Sequence, residues 1–290
     1  LSFAGMMGAK LPTQIDNQIY DINKALLFYD EHTFGYSESV RDAYCKETWE
    51  QRSLKQSYAW EAYRHSGLLG EVTMGLLQSF VPKAEYPSVA VFNTLNWTYS
   101  GIAKVYIDHQ ILPREKAFEI TDTAGNIIPA QPAESRSDGT YWSLFVKDVP
   151  ALGYAQYYIK VKNEPRPEIV SSAALEKAHV ENNWYAIDFN PHKGTISKLF
   201  DKELNKELTT PNAEWELGEF IYEIIDSRHP MEQYREPQFL RRRPERIRFE
   251  RYEKGTIWDT YRFRGETVAG REPNNLMVEF RVFNVDKKIE

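Results

Sequence analysis

The chain has 290 residues, 42% of them hydrophobic and 27% charged, with a formal net charge of −6 and a single cysteine, Cys45. That length exceeds one small core and suits two or three domains, and the composition excludes a disordered chain. The acidic balance argues against general nucleic-acid binding, which needs a basic footprint, and one cysteine excludes an intrachain disulfide.

No apolar run approaches the ~18–20 residues of a membrane span, so none is expected. No signal-peptide pattern is present, but the chain opens on Leu1 inside structured-looking sequence and closes on the alternating run "NNLMVEFRVFNVDKKIE" at residues 274–290. Both ends read as cut, and the sequence is expected to be a fragment of a longer protein. Its compartment stays open: cytoplasmic, or periplasmic or secreted if the parent carries a signal peptide.

In chain order, the first region reads as helical. Ile15, Ile19, Ile22, Leu26 and Tyr29 recur at spacings of three and four, one face of a helix, with Asp16 as the expected N-cap. Gly35 and the serines around it end that helix. Residues 38–80 contain no proline and many helix formers, which predicts one very long helix or two, Ser66-Gly67 being the expected break. Such helices would pack as an antiparallel bundle.

"VPKAEYP" at 81–87 reads as a linker. Short aromatic and β-branched runs follow, "SVAVFNTLNW", "AKVYIDH", "AFEITDTAGNIIPAQP", "TYWSLFVKDVP" and "AQYYIKVK", separated by turn residues at Asn93, Gly125-Asn126, Asp138-Gly139 and Gly153. They predict a small antiparallel β-sandwich. "NEPRPE" at 163–168 is a second linker. Beyond it come more strands, "WYAIDFN", "GTISKLFD", "FIYEIID", "RIRFERYE" and "TIWDTYRFRG", with a hairpin expected around Lys254-Gly255. The expected fold class is α+β multidomain: a helical bundle over 1–82, a small β-sandwich over 83–165, and over 166–290 the start of a large β-sandwich.

Chemical motifs are sparse. HExxH, CxxC, P-loop and GxSxG patterns are absent, and the six histidines, His32, His65, His109, His179, His192 and His229, form no short-range pair with metal-ligand spacing. The basic run "RRRPERIRFER" at 241–251 alternates Ile247 and Phe249 with Arg246, Arg248 and Glu250. It reads as a strand with one wet, charged face, a sugar- or anion-binding role being the alternative. "EWELGEF" at 214–220 is rich in carboxylates, but sequence selects no pair across a scissile bond, and no catalytic residue is assigned in this chain. Asn96-Trp97-Thr98 matches a glycosylation sequon. In "YDEHTFGYSES", residues 29–39, His32 stands beside Glu31 at the end of a helix. It is either a metal ligand or an ordinary helix-end histidine.

"ENNWYAIDFNPHKGTISKLFDKELNKEL", residues 181–208, resembles the start of the C-terminal β domain of glycoside hydrolase family 38, the α-mannosidases. The resemblance runs through Glu181-Asn182, Trp184-Tyr185, Gly194, Ile196-Ser197-Lys198-Leu199, Phe200, Asp201-Lys202 and Glu207-Leu208. "VFNTLNW" at 91–97 resembles the opening of that family's first small β domain, and "VPALGYAQYYI" at 149–159 its closing strand. Helices, small sandwich and large sandwich, in that order, match the family's layout after its catalytic barrel.

The resemblance implies a piece of a retaining, metal-dependent glycosidase acting on α-mannosides or mannose-containing glycans. It implies that His32 completes a zinc site whose other ligands, like the nucleophile, lie on an N-terminal catalytic domain absent from this chain. That domain would be its partner, and this piece alone would be inactive. Glu31 could orient the second imidazole nitrogen, or only occupy the last helical turn. Thr33 stands where the family usually has Asp, and Gly35 comes earlier than usual. These departures keep open a family 38-like hydrolase of another sugar. A non-catalytic carbohydrate-binding or structural module is the other alternative.

Overall fold

A computed structural model describes residues 1–31, 37–267 and 276–290. They divide into two compact units: Leu1–Lys83 with Ile225–Leu240, and Ala84–Ile224 with Arg241–Glu290. Antiparallel sheet makes up most of the regular structure, with few helices.

The first unit holds α1 (Ser2–Met6), α2 (Ile15–Asp30) and α3 (Lys46–Gln78). It also holds a single 3-10 turn at Ser37–Ser39 and the short α4 (His229–Glu232). Helix α2 begins one residue before Asp16: Gln14 is the N-cap, and Asp16 lies in the first turn, where its charge complements the helix dipole. Helix α3 runs unbroken through Ser66-Gly67 and is about 50 Å long at 1.5 Å per residue. Ser66 and Thr73 turn their hydroxyls back onto the carbonyls of Tyr63 and Leu69, so the small polar residues stay within the helix. The described helices form a pair with two short companions. Of the expected α2 face, Ile15 is buried and Ile22 and Tyr29 half-buried, while Ile19 and Leu26 are exposed. Leu27, Trp60 and Tyr63 are each about 70% exposed, at 72%, 68% and 73%. Apolar side chains on α2 and α3 thus remain uncovered.

The second unit is built of strands. β1 (Ser88–Asn93), β2 (Tyr99–Asp108), β3 (Lys116–Thr121), β4 (Ala130–Ser135), β5 (Gly139–Val149) and β6 (Gly153–Pro165) make two three-stranded sheets, β1-β6-β3 and β2-β5-β4. Ile107, Ile120, Trp142, Leu144, Tyr157 and Ile159, drawn from both sheets, share one core. The aromatic and β-branched runs that predicted these strands supply the side chains that fill it.

Beyond Pro165 come β7 (Ser171–Ser172), β8 (His179–Glu181), β9 (Tyr185–Asn190), β10 (Thr195–Asp201) and β11 (Lys206–Glu207). They are followed by β12 (Tyr222–Ile225), β13 (Phe239–Arg242), β14 (Glu245–Glu253), β15 (Trp258–Glu266) and β16 (Leu276–Phe283). Sheets β11-β10-β9-β8 and β16-β15-β14-β7 contribute Ile187, Phe189, Ile196, Phe263 and Phe280 to a second core. β12 pairs with β13 in a two-stranded ribbon. The hairpin expected around Lys254-Gly255 is the β14–β15 pair.

Apart from Lys83 and Ile225–Leu240, which belong to the helical unit, the two β regions expected at 83–165 and 166–290 lie within one compact unit. A third cluster, Ile257, Trp258 and Phe283 against Ile102, Ala133 and Phe145, joins them. Gln131 reinforces it by bonding the backbone at Ile257 and Trp258.

Candidate functional site

His32, the metal ligand implied by the sequence, lies outside the described residues. Its neighbour Glu31 is described. Glu31 closes α2 as the C-cap with extended backbone angles, which turns the chain off the helix axis. Lys55, on α3, donates to the Phe28 carbonyl at 3.1 Å and lies 2.7 Å from Glu31 Oε2. A cation is thus placed where α2 leaves carbonyls unpaired and its dipole is negative. Phe28 stacks on Tyr58 with ring centroids 5.4 Å apart, one α3 turn beyond Lys55. The Glu31 carboxylate therefore has a partner within the helical unit. Among the described residues, no three His, Cys, Asp or Glu side chains group to hold a metal ion.

The residues that carried the family resemblance do architectural work. Asn93 is buried, and its amide nitrogen donates to the carbonyls of Trp97, Val149 and Pro150 while its oxygen accepts from Leu95 N. Asn182 accepts from the amides of Trp184 and Tyr185 and donates to the Phe283 carbonyl. Gly194 has φ +64, and a Cβ there would sit 3.1 Å from Ile247 Cγ2 and 3.2 Å from Phe263 Cβ. Asp201 accepts from the amides of Glu203 and Leu204 and pairs with Lys287 at 2.8 Å. Glu207 accepts from Leu199 N and from Thr209. Each fixes a turn or a strand end, which explains why these residues recur in a fold.

The acidic run at 214–220 is likewise engaged. Glu216 accepts from Asn190, Lys193 and Thr195. Burial pushes its pKa up, but those three donors outweigh it and hold the carboxyl below its usual range. Glu219 pairs with Arg243 at 2.6 Å, and the Arg243 guanidinium lies 4.0 Å over the Trp215 ring. The basic run at 241–251 is laced to carboxylates: Arg241 to Glu223, Arg246 to Glu266, Arg251 to Glu253. The run covers the end of β13 and most of β14, not one strand, and on β14 Arg246, Arg248 and Arg251 are exposed while Ile247 and Phe249 are half-buried.

One charged constellation was not foreseen. On β8 and β9, His179 Nδ1 lies 2.5 Å from Asp188 Oδ1 and Nε2 lies 2.9 Å from Glu181 Oε1. Lys202 closes the chain at 2.6 Å from Glu181 Oε2. Glu181 above all, then Asp188, raises the pKa of His179, and His179 followed by Lys202 pulls Glu181 down to about 2. His179 and Glu181 share a strand face by period-two spacing, and His179 is the register partner of Asp188. The spacing was visible in sequence; the register was not.

No family model matches the chain. The lysosomal alpha-mannosidase of Cavia porcellus is 25% identical over 138 residues, an alignment spanning 46% of this chain and 13% of that protein. Among solved structures, an alpha-mannosidase from Enterococcus faecalis V583 superposes over 94% of this chain with a TM-score of 0.56 at 10% identity. A glycosyl hydrolase family 38 protein from Enterococcus faecalis does so over 94% with a TM-score of 0.54 at 11% identity. This chain is similar in fold to both of those proteins. At those identities the two structures establish the fold. The chain spans 36% and 38% of the two solved chains. Among its described residues no helix is long and apolar enough to cross a membrane.

Proposed function

We propose that this chain is the portion of a family 38-like glycoside hydrolase that follows the catalytic region. Its three parts would be the helical 1–82, the small β 83–165 and the large β 166–290. The parent enzyme would be a retaining, metal-dependent hydrolase of α-mannosides. The observation that carries this reading is the coverage: the α-mannosidase fold accounts for 94% of this chain, and the chain for little more than a third of that fold.

In this reading the uncovered apolar surface of α2 and α3 seats the catalytic region. The segment that leaves α2 at Glu31 delivers His32 to a zinc ion, or another divalent cation, whose remaining ligands come from that region. Bound there, the metal would act as a Lewis acid on sugar oxygens, and neutral imidazole suits it. The part played by this chain's own residues is positional. Lys55 clamps the end of α2 through Phe28 O and Glu31, so the backbone entering His32 starts from a fixed point. Nucleophile and acid/base belong to the missing region, and the chain alone would not hydrolyse glycosides.

The test is an assay of the longer protein on an aryl α-mannoside, with and without a chelator, beside His32→Ala. Cleavage abolished by both treatments, with circular dichroism unchanged, is the expected result. Cleavage untouched by His32→Ala would make His32 a helix-end histidine. Cleavage of a different aryl glycoside alone would keep the hydrolase and overturn the mannoside.

A further inference from the structure

The β unit contains a cavity of about 410 Å³, lined by the crossover at 173–178 that carries the chain from β7 to β8 and by Tyr252 and Tyr261. The volume falls in the range of small-molecule sites. Leu175, Val180 and the two rings give it an apolar lining; the tyrosine rings stand 5.2 Å apart as directly paired residues of β14 and β15.

Its polar groups are mostly committed. Tyr252 donates to Asp259 Oδ2 at 3.0 Å, Ser172 Oγ is bonded to Ala174, and both nitrogens of His179 face carboxylates. Tyr261, 4% exposed overall, also lines the cavity, and its hydroxyl makes no hydrogen bond to another described residue. Burial, reinforced by Asp259 and Tyr252, pushes its pKa up, so the phenol stays a neutral donor. Of the charged rim residues, Glu176 and Lys177 are opposite in sign, which favours neither an anion nor a cation.

We infer that this cavity binds a neutral, ring-sized polyhydroxy compound, a pyranose, with its apolar face against Leu175, Val180 and Tyr252 and one hydroxyl paired to Tyr261. An apolar ring face with hydroxyls at its edge suits a cavity with the Leu175, Val180 and Tyr252 side chains on one part and the Tyr261 hydroxyl available to it. The inference stands on the β unit and does not require the parent to be a mannosidase.

The experiment titrates the chain with methyl α-D-mannopyranoside and methyl α-D-glucopyranoside, following backbone amides of residues 174–180 by NMR. Saturable shifts are expected with a Kd of about 1 mM, the affinity open to so small a ligand. Tyr261→Phe, which keeps the ring, should weaken binding about three- to tenfold. Val180→Trp, which fills the cavity, should abolish it. Absence of saturable shifts with both sugars overturns the proposal, as does binding that neither variant alters. So does a soaked crystal with water alone on the Tyr261 hydroxyl. Pyranoside binding by the chain from a parent that cleaves no glycoside would leave the cavity assigned and the hydrolase reading lost. A cleaving parent whose chain binds no pyranoside would do the reverse.

Discussion

Gln131 holds Trp258 by both ends of its peptide unit: Oε1 accepts from Trp258 N and Nε2 donates to Trp258 O, each at 3.1 Å. The same oxygen accepts from Ile257 N at 2.9 Å. One side chain thus substitutes for a strand at the junction of the two β regions. Gln131→Leu keeps the volume and orphans these backbone groups. It should lower stability by about 2–3 kcal/mol. Urea denaturation followed by tryptophan fluorescence should split into two transitions, one for each β region.

Asn93 offers a sharper case, because its four hydrogen bonds tie β1 to the ends of two other segments. Asn93→Ala should cost about 2–3 kcal/mol. Asn93→Asp faces a carboxylate with three carbonyls, which would raise its folded pKa above the ordinary ~3.9. Its penalty should therefore be least in acid and grow as pH rises through that value. Thermal melts from pH 3 to pH 7 check the sign.

Gly194→Ala should destabilise by about 2 kcal/mol, since left-handed backbone alone costs an alanine roughly 1–2 kcal/mol. Here the added methyl also presses on Ile247 and Phe263. Chemical denaturation of the variant measures the sum. A loss below about 0.5 kcal/mol would mean that the turn relaxes.

The cluster of His179, Glu181 and Asp188 predicts a pH window. Glu181 has a depressed pKa, about 2 against 4.5, so its contribution is present above pH 4.5 and lost as pH falls through 2. His179 has a raised pKa, so its contribution is full below 6.5 and lost as pH rises through the folded value. Both are in force between about pH 4.5 and 6.5. The groups are half exposed and the effect should be shallow. His179→Gln should flatten the alkaline arm of a plot of Tm against pH, and NMR should find the imidazole titrating above 6.5.

Much of the β architecture was legible in sequence, because strands favour aromatic and β-branched residues and turns favour glycine and asparagine. The runs at 140–150 and 184–190 declared themselves in that way. The break at Ser66-Gly67 did not occur because glycine without proline leaves a helix free to continue. Asp16 misled because a carboxylate serves as well inside the first turn as at the cap. The motif of 181–208 was readable as a pattern, but its roles at Asn182, Gly194 and Asp201 appear only once strands are paired. The Tyr261 cavity and the His179 cluster depend on register and crossover, which local sequence does not encode. His32 rests on resemblance alone.

The helical unit takes in Ile225–Leu240, and Arg41 bonds Glu232 across 191 residues of sequence. That has a bearing on how the chain is made. A ribosome that has released the long helix must still synthesise most of the β strands before the last piece of the helical unit emerges. Until then Ser39 and Arg41 lack their partners Arg228 and Glu232, and the incomplete unit stands open to chaperones or to misassembly. A chain ended at Lys83 would not supply the helical unit whole, and limited proteolysis should cut it faster than the same segment within the full chain.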